Sequence, residues 1–124
     1  CTLTSVLRHE LKDTIFDVCI IDEAAQALDI ACWFGIIKAK KVILCGDHKQ
    51  LPPTIKSTNA NELSFTLFDK CYYKFDGILT TMLEIQYRMN DKICRFFSEK
   101  LYRNKLKSHE SVMNHILWEL KYIN

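Results

Sequence analysis

Asp22 and Glu23 stand side by side, and Asp47 stands three residues before Gln50. These are the side chains whose types and spacing suit phosphate chemistry. An aspartate can hold Mg²⁺, a hard cation that prefers oxygen ligands and keeps several waters. A neighbouring glutamate can orient or deprotonate an attacking water. A glutamine amide both donates and accepts, so Gln50 can donate to a phosphate oxygen while accepting from water. Each feature has a plainer alternative. Asp22-Glu23 could be a surface acidic pair opening a helix, where negative charge is favoured in any case. Residues 46–53 could be an ordinary turn, although this octet directly after an apolar strand is hard to obtain by chance.

The elements that must carry these residues are legible as apolar runs. Phe-Asp-Val-Cys-Ile-Ile at 16–21 stops at Asp22-Glu23, and Val-Ile-Leu-Cys at 42–45 stops at Gly46-Asp47. Such a run, ending abruptly in polar residues, reads as a buried parallel strand delivering them to one sheet edge. In open α/β sheets, ligands bind at that carboxyl edge. Strands are therefore expected at Val18–Ile21 and Val42–Cys45. Residues Ala24–Ile37 between them predict a helix apolar on most sides, as in an element buried within a layered core. Gly35 inside it marks close packing or an early end, and Lys38–Lys41 predict a solvent turn. Strand, helix and strand within about 30 residues make a βαβ unit with a right-handed crossover.

Further along, Gly46–Thr58 reads as a loop stiffened by Pro52-Pro53. Asn61 to about Tyr73 has helical spacing, with Leu63, Leu67, Phe68 and Cys71 on one face. Asp76-Gly77 predicts a turn, and Ile78–Tyr87 a further strand. Asn90 suits the N-cap of a helix reaching about Tyr102, with Ile93, Phe96, Phe97 and Leu101 inward. Val112–Tyr122 carries a fainter helical pattern.

The totals narrow the class. A chain of 124 residues is one domain, or one domain and part of the next. With 48% hydrophobic and 26% charged residues it has ordinary globular composition. Its longest apolar stretch, Ile30–Ile37, is far short of the about 20 residues that cross a bilayer, so no membrane partner is expected. The chain opens at Cys1 without a basic-then-apolar leader and reads as a piece of something longer. Six cysteines include no Cys-x-x-Cys pair and no zinc-finger spacing. Cys19, Cys32 and Cys45 lie inside apolar runs, where a free thiol behaves as a small hydrophobe. A reduced, intracellular chain is expected.

Charge is distributed unevenly. Residues 1–87 hold 9 basic and 11 acidic side chains, and residues 88–124 hold 8 and 4. The densest basic run, Lys100 to Lys107, includes Tyr102, a mixture that suits a polyanion with stackable bases; its plainer alternative is a solvated face. The shift coincides with a strand-to-helix change and places a domain boundary near residue 88.

Three segments, in order, resemble motifs II, III and IV of superfamily 1 helicases. They are Asp22-Glu23-Ala24-Ala25-Gln26-Ala27, Gly46-Asp47-His48-Lys49-Gln50-Leu51-Pro52-Pro53 and Gln86-Tyr87-Arg88-Met89. Order and spacing are similar to the up-frameshift-like branch. Ala31-Cys32-Trp33, Leu101-Tyr102 and Ser111-Val112 resemble its immunoglobulin mu-binding group. Cys1-Thr2-Leu3-Thr4 resembles motif Ic, less specifically. The resemblance spans nearly the whole chain.

The resemblance implies an α/β fold of RecA-like (P-loop NTPase) type, a parallel sheet flanked by helices. Residues 1–88 would be the back part of a first motor domain, and 89–124 the start of a second. It implies an ATP-dependent helicase or translocase that moves 5′ to 3′ on single-stranded RNA or DNA. Residue by residue, it implies that Asp22 binds Mg²⁺ and Glu23 activates water. Gln50 would sense the γ-phosphate of ATP, with Asp47 supporting that loop. Arg88 would act as an arginine finger, Tyr87 would lie beside adenine, and Thr2 and Thr4 would approach the nucleic-acid backbone. The plainer alternatives are a surface ion pair for Arg88 and a core aromatic for Tyr87.

One departure matters. The phosphate-cradling Gly-x-x-x-x-Gly-Lys-[Ser/Thr] pattern is absent: glycines stand at 35, 46 and 77, and none precedes Lys-Ser/Thr. The resemblance puts that loop upstream of Cys1 and the late motifs beyond Asn124. The remainder of the helicase chain would thus be needed to complete the site, and this segment alone is expected not to hydrolyse ATP. The rival reading is a nucleic-acid-binding or scaffolding protein with a helicase-derived fold and no turnover. A further one is a relative in which the same motor is fused to other activities.

Overall fold

The computed structural model describes residues 1–75 and 78–116. By packing, the chain divides into two compact units, Cys1–Thr80 and Thr81–Asn124. That division lies ahead of the charge shift near 88. The architecture is mixed α/β, with one small parallel sheet in each unit.

In the first unit, β1 (Phe16–Ile21) and β2 (Ala39–Leu44) pair in parallel, from Phe16 opposite Ala39 to Ile21 opposite Leu44. The connection runs through α1 (Asp29–Ile36), which makes the expected βαβ unit. β2 begins earlier than expected, so the solvent turn foreseen over 38–41 is largely strand. A ladder uses only backbone groups, and the lysines fit it with their ammonium groups outward. Lys40 Nζ reaches Asp17 of β1 at 2.7 Å.

The single helix expected over Ala24–Ile37 is also corrected. Glu23 takes left-handed dihedrals (φ 52°, ψ 37°), and one 3₁₀ turn covers Ala24–Gln26. Ala27 and Leu28 are then extended before α1 starts. The cause is a tertiary hydrogen bond: Ala24 N–H donates to the Cys45 carbonyl at 2.8 Å, drawing this segment to the end of β2. Helix propensity is a weak prior against such a constraint.

The core of this unit gathers Ile21, Ala24 and Cys32, with Leu3, Cys19, Ala27, Ile36, Leu44, Leu67 and Phe68 packed against them. α1 is not covered on most sides as foreseen. Cys32 and Gly35 are buried, but Ile30, Trp33 and Ile37 are exposed. One sheet face is open too, with Ile20 64% and Ile43 50% exposed; parallel strands ordinarily have both faces covered. The six cysteines are free, with Cys32 and Cys94 buried, Cys19 half-buried and Cys45, at the strand end, exposed rather than buried. Burial, then Asp29, then Cys19 push the Cys32 thiol up from its ordinary value.

The helix expected over 61–73 is broken at Phe65-Thr66. A 3₁₀ segment runs Thr58–Ser64, and α2 runs Leu67–Lys74. The break is a capping box. The fully buried Thr66 hydroxyl accepts from Asp69 N–H at 3.2 Å, while the Asp69 carboxylate accepts from Thr66 N–H at 2.9 Å.

In the second unit, β3 (Ile85–Gln86) pairs in parallel with β4 (Lys107–Ser108). The strand expected over 78–87 is thus only two residues long, because its partner offers only two. α3 (Asp91–Leu101) follows the expected cap, Asn90, whose side chain accepts from Lys92 N–H at 2.8 Å. Its inward face differs from expectation: Cys94 and Ser98 are buried, whereas Ile93 (54%), Phe96 (60%), Phe97 and Leu101 are exposed. α3 turns Cys94 toward the stretch before β4, with Sγ 3.9 Å from the Leu106 carbonyl. α4 is short, Glu110–Met113; residues 117–122 of the last expected helix and the Asp76-Gly77 turn lie outside the described residues. No described helix is long and apolar enough to cross a membrane.

Candidate functional site

The sheet ladder continues past both strand ends. Cys45 N–H donates to the Ile21 carbonyl at 2.8 Å, and the Cys45 carbonyl then accepts from Ala24 N–H. Gly46 follows, so close that a Cβ there would stand 2.8 Å from Ala25 N and 3.3 Å from Ala24 N. Only glycine permits that approach. The loops carrying Asp22-Glu23 and Asp47–Gln50 are therefore locked backbone to backbone at the carboxyl edge of one parallel pair.

Within that lock, Asp22 Oδ1 accepts from Glu23 N–H at 3.0 Å, and its other oxygen has no hydrogen-bond partner among the described residues. Glu23 Oε2 accepts from Gln26 Nε2 at 3.1 Å. Asp47 accepts from Lys49 N–H at 2.9 Å and from Gln50 Nε2 at 2.8 Å. Asp22, Glu23 and Gln50 are exposed. A carboxylate with one uncommitted oxygen, beside a second carboxylate, fits Mg²⁺, which takes one or two carboxylates plus waters and phosphates. The Gln50 amide is thereby held by Asp47 within its own loop.

Two residues of this region carry roles the sequence reading left unassigned. Gln26, inside the quoted motif, steadies the Glu23 carboxylate. His48 ties the Asp47–Gln50 loop to α2, with its ring 4.1 Å from that of Tyr72 and 6.4 Å from that of Phe68. Burial, and secondarily Lys49, lower its pKa below 6.5 against the opposing pull of Asp47 and Asp69. Its sequence signal is the aromatic residues at 68, 72 and 73, the last with its ring 6.3 Å from the imidazole.

In the second unit one side chain organises the site. The Gln86 amide uses its full capacity. Its oxygen accepts from Arg88 N–H and Met89 N–H, each at 2.7 Å. Its nitrogen donates to the Met89 carbonyl and Ser108 Oγ, each at 2.7 Å. The turn thus pinned presents Tyr87 and Arg88 outward. Tyr87 is 63% exposed, not a core aromatic. One face of it stacks on His109 at 4.4 Å, and it lines an open cleft of about 520 Å³ with Met82, Leu83, Glu84 and Ile85. The Arg88 guanidinium has no acidic partner among the described residues. Thr2 and Thr4 are exposed at the start of the first 3₁₀ segment, where Thr2 Oγ1 lies 2.6 Å from Ser5 Oγ and 3.5 Å from Thr4 Oγ1.

Comparison with known proteins adds a family to this geometry. One AAA domain model matches residues 1–58, and another AAA domain model matches residues 63–123. Each match takes in just under half of the chain, and together they take in nearly all of it. Matches of this kind imply a RecA-like fold, consistent with the small parallel sheets. An ATP-dependent helicase of Methanocaldococcus jannaschii is 49% identical over 110 residues, which is 89% of this chain and 16% of that protein. The DNA-binding protein SMUBP-2 of Rattus norvegicus is 45% identical over 112 residues, 89% of this chain and 11% of that protein. The DNA polymerase alpha-associated DNA helicase A of Schizosaccharomyces pombe is 37% identical over 123 residues, 99% of this chain and 18% of that protein. This chain therefore spans less than a fifth of each of these relatives.

Proposed function

We propose that this chain is part of an ATP-dependent helicase or translocase, with the end of one motor domain in residues 1–88 and the beginning of a second in 89–124. The observation that supports this most is the lock at the strand ends, where Ala24 N–H reaches the Cys45 carbonyl and Gly46 lies against Ala25. It sets two polar loops side by side at the edge where open α/β sheets take their ligands. The substrates are ATP and a single strand of nucleic acid, followed 5′ to 3′. The names of two relatives, a DNA-binding protein and a DNA helicase, favour DNA over RNA. The protein works inside the cell.

In this reading Asp22 holds Mg²⁺ through its uncommitted oxygen. The ion, when bound, offsets negative charge on the phosphate oxygens. Glu23 orients the attacking water and takes its proton, its carboxylate kept in place by Gln26. Gln50 exchanges its bond to Asp47 for one to the γ-phosphate. Arg88 contributes positive charge to the transferred phosphoryl group, an effect worth on the order of 10³–10⁵ in rate. Tyr87 receives the adenine ring, and Thr2 and Thr4 meet the nucleic-acid backbone.

The test uses the full-length protein and measures ATP turnover with and without single-stranded DNA or RNA. Glu23→Gln should abolish turnover. Arg88→Ala should leave ATP binding nearly intact and slow turnover by at least about a hundredfold. An unchanged rate removes Arg88 from the mechanism. A full-length protein that binds nucleic acid but never hydrolyses ATP supports the scaffolding alternative instead.

A further inference from the structure

Tyr87 does not stand alone. The β3–β4 register sets Gln86 opposite Ser108, so the next residue on each strand, Tyr87 and His109, leave side by side. His109 N–H donates to the Gln86 carbonyl at 2.9 Å, fixing that exit. The two rings then stack, with centroids 4.4 Å apart and planes inclined by 30°. The imidazole is itself held from behind: its Nδ1 accepts from Ser111 N–H at 3.2 Å and lies 2.8 Å from Ser111 Oγ. Tyr87 lines the adjoining cleft, and His109 does not. The tyrosine is thus backed by the imidazole and borders a mostly apolar cleft that Met82, Leu83, Glu84 and Ile85 also line.

We propose that His109 is a positioning residue for nucleobase binding, backing Tyr87 so that its ring is fixed for stacking on a purine. This rests on the helicase reading, in which Tyr87 meets the base. A free tyrosine ring loses rotamer freedom when a base stacks on it, and a ring already clamped loses less. The contribution of His109 is therefore to base affinity. It reaches the nucleotide through Tyr87, which makes its effect conditional on that ring.

The experiment is equilibrium binding of ADP and CDP to the full-length protein, with turnover measured alongside. His109→Ala should weaken ADP roughly three- to tenfold, the range of an aromatic pair. CDP, whose smaller ring stacks less, should weaken less, so the ADP-to-CDP preference narrows. His109→Phe keeps a ring and should restore most of the loss. In the Tyr87→Ala background, His109→Ala should add nothing, because the residue through which it acts is gone. Additive losses, equal weakening of both nucleotides, no rescue by Phe, or no change at all would each overturn the proposal. Nucleotide binding without turnover in the unaltered protein overturns the helicase reading while these affinities still decide this one. No binding of either nucleotide by the unaltered protein overturns both.

Discussion

The loops after β1 and β2 are fixed by main-chain groups, whereas the turn after β3 is fixed by side chains, chiefly the Gln86 amide. In the first unit, two carbonyls and two N–H groups carry the ladder past the strand ends, and a glycine lets the strands close up. Asp22 and Glu23 take no part in that scaffold beyond a local bond. In the second unit, the Gln86 amide makes four bonds at the 86–89 turn, Ser108 Oγ adds one to the Met89 carbonyl at 3.2 Å, and the strand beneath is two residues long. Backbone scaffolding separates geometry from chemistry, so reactive side chains can change without collapse. Side-chain scaffolding puts both in the same few residues, so a single substitution reaches Tyr87 and Arg88 together.

That contrast is broken most directly at Gly46. Gly46→Ala places a methyl 2.8 Å from Ala25 N, a backbone atom that cannot swing aside. The expected outcome in the full-length protein is destabilisation by about 1–3 kcal/mol. Turnover should fall by on the order of 100-fold, as for a misplaced reacting group. A calorimetric scan with an ATPase assay checks both, and normal turnover would mean the lock is not what aligns the two loops.

Gln86→Ala sharpens the other side. It leaves the Arg88 and Met89 N–H groups without their acceptor, a loss of about 2 kcal/mol, or roughly thirtyfold faster amide exchange in the turn. Gln26→Ala, which removes one bond to an exposed carboxylate, should leave exchange at residues 24–26 unchanged. Equal responses at the two places would erase the distinction.

The smallest effect is a pH dependence at His48. Desolvation holds its folded pKa below 6.5, so the unfolded chain binds its proton at higher pH than the folded one. The loop's attachment to α2 is complete above about pH 6.5 and weakens as pH falls toward the folded value. Melting temperatures between about pH 8 and about pH 5 should show this slope, and His48→Phe should flatten it. A slope unchanged by His48→Phe assigns it to other groups.

The placement of the polar loops was more legible than the scaffold around them. Asp22, Glu23, Asp47 and Gln50 follow apolar runs, and parallel pairing in register is enough to bring such runs to one edge. What the sequence hid were tertiary decisions. Lys40 and Lys41 look like turn residues because their charges say nothing about backbone pairing. Ala24–Gln26 look helical because alanine propensity cannot reveal a carbonyl waiting at Cys45. Ile93, Phe96, Phe97 and Leu101 form an apolar face, but α3 leaves it exposed and buries the smaller Cys94 and Ser98, with Cys94 toward Leu106 ahead of β4. The same is true of Gln86 and His109. An amide and an imidazole have no periodicity, and their role exists only once β3 and β4 have met.

Glu23 carries a tension of its own. It sits at φ 52° without being glycine, in a conformation that a residue with a Cβ adopts at a penalty of about 1 kcal/mol. Replacement by glycine would relieve that penalty and remove the carboxylate in one step. Laboratory evolution for heat tolerance alone would therefore favour variants that have lost this acid. A screen meant to harden the protein must score turnover in every round.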